Sequence, residues 1–133
     1  MSQENVEVVR RAYEALARGD IETMFAICDP TIELEVSDAY FDEARKYLGH
    51  QGMQELFAAQ QEVFDPFRIE VDELIDAGER VVALVRAGGI ARASGIEVFG
   101  RFGHLWTIGD GQLIHFKEHK DPADALEAAG LRE

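Results

Sequence analysis

One cysteine, one tryptophan, three prolines and few basic residues are the scarcities of this chain, and each closes off a class of protein. A lone Cys28 cannot form an internal disulfide, so the fold must hold without one. It falls in the apolar run Met24-Phe25-Ala26-Ile27-Cys28, which reads as a buried thiol rather than a reactive one. No apolar run approaches the roughly 20 residues that a bilayer-spanning helix needs. The opening MSQENVEVV lacks a basic region followed by an apolar core, so it does not read as a secretory leader, and the expected compartment is the cytoplasm. The 13 Lys and Arg are outnumbered by 26 Asp and Glu, a formal charge of −13. That balance argues against nucleic acid and anionic membrane surfaces as partners. No phosphate-cradling glycine loop and no G-x-S-x-G elbow occurs, so no cofactor is expected.

What is present is an ordinary globular composition, 47% apolar and 9% aromatic, on 133 residues, and it reads as one domain over 1–133. Val6, Val9, Tyr13 and Leu16 recur at three- and four-residue steps and predict a helix over 3–18, closed by Gly19. Asp20 caps a short helix over 21–27, and Thr31 to Val36 alternates as a strand. Ser37-Asp38 reads as the cap of a polar helix over 39–47. Gly49 and Gly52 then break the chain before a main helix from Met53 to Phe64 that Pro66 stops. Segments 67–77, 79–90 and 96–108 are rich in β-formers, and Pro122 to Ala129 reads as a terminal helix. Helices followed by a long meander imply an α+β domain, with a curved antiparallel sheet wrapped into a cone around three helices.

The hairpin FGHLWTIGDGQLIHFKEHKD, from Phe102 to Asp121, carries the chemistry. Gly109-Asp110-Gly111 is a turn signal. Period-two alternation puts Phe102, His104, Trp106 and Ile108 on one face, and Ile114, Phe116 and Glu118 on one face of the return strand. A turn centred on Gly111 sets Ile108 against Ile114, Trp106 against Phe116 and His104 against Glu118. A His and a Glu then meet at the open end of an apolar wall. A carboxylate beside an imidazole orients it for proton exchange near neutral pH, so these two are the candidate acid–base pair. Arg86 shares the alternating face of Val82 and Leu84, and it joins the candidate catalytic set if that face is concave. Tyr13, Trp106 and Phe116 are candidate ligand-binding walls, and Tyr40 and Tyr47 lie in a segment placed as a lid over the mouth. His115 and His119 alternate with Glu118 and project from the other side. Lys117 between them argues against a metal site there.

Three stretches resemble the nuclear transport factor 2-like superfamily, and within it the SnoaL-like branch. They are Tyr13-Glu14-Ala15-Leu16-Ala17-Arg18-Gly19-Asp20; Tyr47-Leu48-Gly49-His50-Gln51-Gly52; and the final set of His104-Leu105-Trp106, Asp110-Gly111 and Asp121-Pro122 with Ala125-Leu126. The resemblance implies a curved sheet and three helices enclosing a deep pocket. It extends to ketosteroid isomerases, polyketide cyclases, epoxide hydrolases and dehydratases, so the reaction has to be argued from side chains. Relative to the steroid isomerases, Ala12 and Leu34 stand where a tyrosine and the base would be. Relative to the epoxide hydrolases, Glu118 matches the final acid and Arg86 lies near the arginine, while Gly88 falls where the second aspartate belongs. The expectation is a small apolar ligand with polar groups. If the chain is an enzyme, it is an isomerase, cyclase, dehydratase or hydratase acting by proton transfer. The alternatives are a non-catalytic binding or assembly module and a protein-interaction domain. A homodimer through the convex face is also expected, because Leu105 and Leu113 would otherwise be exposed there.

Overall fold

Val6, Val9, Ala12 and Tyr13 all turn inward from the first helix, α1 (Ser2–Arg18), as their spacing demands. The computed structural model describes residues 2–131. Gly19 takes a positive φ of 70° at the end of α1, and the Asp20 side chain accepts the Thr23 N–H to cap α2 (Ile21–Ile27). There follow β1 (Cys28–Val36), β2 (Arg45–Leu48), α3 (Gly49–Val63), β3 (Phe64–Ala77), β4 (Arg80–Ala91), β5 (Glu97–Gly109), β6 (Gln112–His119) and α4 (Pro122–Ala128).

The six strands form one curved sheet in the order β2-β1-β6-β5-β4-β3, and it does not close into a barrel. The α+β class agrees with expectation, and so does the order of elements apart from the segment between β1 and α3. The sheet is mixed rather than wholly antiparallel, because β1 and β6 run parallel, with Leu34 beside Phe116 and Glu35 beside Lys117. A parallel pair needs a long crossover between its strands. Here α3 and the four intervening strands, β2 to β5, supply it.

The helix expected over 39–47 is not formed. Arg45–Leu48 is instead an edge strand, antiparallel to β1, with Val36 opposite Arg45 and Glu33 opposite Leu48. Charge complementarity favours the pairing: Lys46 Nζ lies 3.6 Å from Glu33 Oε2. Residues 38–43 are bends, and Ser37 therefore caps no helix.

Asp110 and Gly111, with φ of 51° and 77°, make the two-residue turn of the β5–β6 hairpin, so Gly109 pairs with Gln112 and Ile108 with Leu113. Ile114 was expected opposite Ile108 but is the extra residue of a β-bulge and points outward. The bulge restores the register beyond it: Thr107 pairs with His115, Trp106 with Phe116 and His104 with Glu118. Without that one residue, Glu118 would face away from His104.

The main core lies between the concave face of the sheet and α1–α3, built from residues such as Val9, Met24, Ile32, Met53, Trp106 and Leu113. A second, smaller cluster sits on the opposite face, where Ala125 and Ala129 of the terminal segment cover Val82 and Leu105. Leu105 and Leu113 are thus both buried within the chain, and the patch from which the dimer was inferred is not exposed at those two residues.

Candidate functional site

A cavity of about 340 Å³ opens between α1, α3 and the concave face of the sheet. It is near the lower end of the range of roughly 300–1,000 Å³ found for small-molecule sites. Leu16, Met24, Leu34, Met53, Leu56 and Phe57 form apolar walls, with Tyr13, Trp106 and Phe116 at the inner end, and Gln60 and Gln61 on the α3 side. Two charged residues on the lining are committed elsewhere: Arg68 pairs with Glu97 at 3.1 Å and Glu70 with Arg86 at 3.1 Å.

At the inner end sit His104 and Glu118, only 3% and 8% exposed, the buried titratable pair among the described residues of a mostly apolar core. Their cross-strand pairing brings His104 Nε2 to 3.7 Å from Glu118 Oε2. That separation is too long for a hydrogen bond, and among the described residues Nε2 has no hydrogen-bond partner. On the other side of the ring, Nδ1 lies 2.7 Å from the Tyr13 hydroxyl. That hydroxyl also accepts the Trp106 indole N–H at 2.9 Å. Indole only donates, so the single hydroxyl proton of Tyr13 is free to go to Nδ1. The network therefore assigns the imidazole proton to Nε2, on the cavity side and facing Glu118.

Ser37 fixes the other end of the pair. Its hydroxyl and its backbone N–H both donate to Glu118 Oε1, at 2.6 and 3.1 Å. One carboxylate oxygen is thereby held and the other is left facing His104. Burial pushes the Glu118 carboxyl upward, but His104 and the two Ser37 donors outweigh it and hold the group below the usual carboxylate range. Burial likewise drives the Tyr13 phenol well above its ordinary range, so it remains a protonated donor at neutral pH.

Tyr13, His104, Trp106, Phe116 and Glu118 come together as one constellation on the cavity wall. Arg86 does not join it. Its guanidinium is exposed and held outside the cavity by Asp72 at 3.0 Å and by Glu70. Ala83, Val85 and Ala87, which alternate with it, are the residues of β4 that enter the main core. Tyr40 packs edge-on against Phe64, Phe67 and Phe102 and adds to the core rather than to the cavity lining. Tyr47 lies on β2, where its hydroxyl accepts from Arg45 at 3.1 Å, also outside the lining. Neither forms a lid. His50 is bound to the Cys28 carbonyl at 2.9 Å and stacked on Phe25. His115 projects to the far side, where it meets Glu35 at 2.7 Å. Ser37 was missed because it lies 81 residues from Glu118 and reads locally as a helix cap. Among the described residues, no three His, Cys, Asp or Glu side chains converge as a metal site, and no helix is long and apolar enough to cross a membrane.

Comparison with solved structures supports this architecture. An NTF2-like protein of unknown function from Burkholderia pseudomallei K96243 superposes with a TM-score of 0.78 at 25% identity, over 93% of this chain and 95% of that one. An NTF2-like protein from Burkholderia thailandensis E264 gives 0.77 at 27% identity, over 96% and 97%. TerC, co-crystallised with polyporic acid, gives 0.76 at 23% identity, over 96% and 98%; that likeness shows the fold alone. No curated protein matches the sequence. The SnoaL-like domain family matches residues 9–116, from the first helix to the strand that carries Phe116. The chain therefore belongs to the SnoaL-like family of the nuclear transport factor 2-like superfamily.

Proposed function

We propose that this protein binds a small, mostly apolar molecule in the cavity and moves a proton on it, with His104 and Glu118 as the acid–base pair. The observation that carries the reading is that these two side chains, paired across β5 and β6, both line one apolar cavity. In such surroundings a carboxylate and an imidazole act on a substrate proton without competition from bulk water. Isomerisation, cyclisation, dehydration and hydration all need no more than this. Glu118 is the base, being held in its charged form, and the Nε2–H of His104 is the donor to developing negative charge on substrate oxygen.

The test is proton exchange. Apolar ketones and hydroxy compounds incubated with the protein in deuterated buffer should lose protons next to the polar group at a catalysed rate, read by NMR. Glu118→Gln and His104→Ala should each slow that exchange by about 10²–10⁴-fold, the usual worth of a positioned acid or base. Folded variants with undiminished rates would show that the pair is structural.

One observation favours a second reading, a binding module without catalysis. Tyr13 commits its hydroxyl proton to His104 while accepting from Trp106, so it offers no donor to a ligand. In that case the ligands stabilise the fold in thermal-shift measurements while no proton exchange occurs.

A further inference from the structure

The inner end of the cavity presents one unpaired donor beside one available acceptor, and this pattern selects a ligand head group. His104 carries its proton on Nε2 because Nδ1 takes the Tyr13 hydroxyl proton. Glu118 offers Oε2, its other oxygen being engaged twice by Ser37. The two atoms stand 3.7 Å apart, too far to hydrogen-bond one another, and among the described residues the buried Nε2 has no hydrogen-bond partner. A buried donor left unpaired costs free energy that a ligand atom recovers on binding.

We infer that the head group recognised here is a neutral hydroxyl, that of an alcohol, phenol or enol, which accepts from His104 Nε2–H and donates to Glu118 Oε2. The inference rests on the proposed use of this cavity for a small apolar ligand. A hydroxyl has a lone pair and a proton on a single atom, so it satisfies both groups at once. An ammonium group can donate to Glu118 but has no lone pair for Nε2–H. A carboxylate can accept from Nε2–H but has no proton for Glu118, and its charge would be buried beside another carboxylate. No cation on the lining relieves that repulsion, since Arg68 is committed to Glu97. The formal charge of −13 on the chain adds a long-range penalty for anions. The carboxyl of Glu118 is held below its usual range, so the acceptor is ionised at neutral pH. The aromatic floor of Trp106 and Phe116 suits a ring behind the hydroxyl.

Three probes of one ring system and different head groups decide the matter: naphthylmethanol, naphthylmethylamine and naphthoate. Each is titrated into the full chain by calorimetry at neutral pH and low salt. The expected order is alcohol tightest, amine weaker and carboxylate weakest, with the carboxylate down by about tenfold or more, as like charges in a desolvated site require. In Glu118→Gln the carboxylate should gain relative to the alcohol. The probe series on the unaltered protein decides even if that variant fails to fold. A carboxylate or amine that binds as tightly as the alcohol overturns the hydroxyl assignment and leaves the cavity reading intact. Failure of all three to bind overturns the cavity reading, and this inference with it.

Discussion

The Tyr13 hydroxyl lies 2.7 Å from His104 Nδ1, although 91 residues separate the two in the chain. This contact ties the first helix to the centre of the sheet and fixes which nitrogen of the imidazole carries the proton. Tyr13→Phe would leave both the Trp106 indole N–H and His104 Nδ1 without partners in a buried site. The expected cost is about 1–3 kcal/mol, that of stranding buried polar groups. Urea denaturation checks it, with Trp106 as the sole tryptophan reporter. Nitrogen NMR of the imidazole should show a mixed tautomer in place of the single Nε2–H form. Unchanged stability together with an unchanged tautomer would contradict the assignment.

Ser37 adds to His104 in holding Glu118 ionised. Because the folded carboxyl is held below its ordinary value of about 4.3, its stabilisation is complete above that value and is lost as the pH falls through the lower folded value. Ser37→Ala removes the 2.6 Å hydroxyl donor, so the folded value should rise and the group should contribute less at neutral pH. The loss of stability relative to the unaltered chain should be largest at pH 7 and should shrink on acidification. Denaturation curves at both ends of that range measure it. A loss equal at both ends would mean that Ser37 acts by packing alone. Carboxyl-carbon NMR of Glu118 gives the same comparison directly.

Legibility in the sequence followed the clarity of each alternation. His104, Trp106, Phe116 and Glu118 could be placed because β5 and β6 each have one decisively apolar face toward the helices. The bulge at Ile114 left no mark, since Leu113 and Ile114 are equally apolar and only the two-residue turn decides between them. Arg86 was misplaced for a different reason. In β4 both faces are apolar, because the terminal segment covers Val82 while the main core takes Val81, Ala83 and Val85, so alternation could not say which face is concave. The 39–47 segment has helical composition, yet the free edge of β1 captured its end as β2. Tertiary pairing outweighed local propensity there. Contacts such as Ser37 to Glu118 join residues whose local patterns carry no trace of one another.

Cys28 should behave as an inert thiol. It is fully buried at the junction of α2 and β1, and burial pushes its pKa up to about 12. The thiolate is the reactive form and is scarce at neutral pH under those conditions. Modification by an excess of a disulfide reagent should therefore be slow in the native protein and should become complete in denaturant, following the unfolding transition. Rapid stoichiometric labelling of the native state would show instead that the cavity admits the reagent to a thiolate.

Gly103 holds the terminal helix against the sheet. A Cβ added there would lie 2.5 Å from the Ala125 Cβ and 3.1 Å from the Pro122 Cα, and neither atom is the end of a flexible side chain. Gly103→Ala must push α4 outward or distort β5, at a cost of about 1–3 kcal/mol, typical of overpacking. The neighbouring residue is His104, so displacement of β5 also reaches the acid–base pair. Displacement of α4 alone would uncover only the smaller apolar cluster on the far face. A double-mutant cycle with Ala125→Gly separates the two contacts. Removing the Ala125 methyl relieves the closer clash, so the double variant should be more stable than the sum of the single changes predicts, the roughly 1 kcal/mol cost of glycine in a helix cancelling within the cycle. Strict additivity would show that the strain is taken by Pro122 and the backbone of β5. Proton exchange on a substrate should then fall in Gly103→Ala and stay low in the double variant.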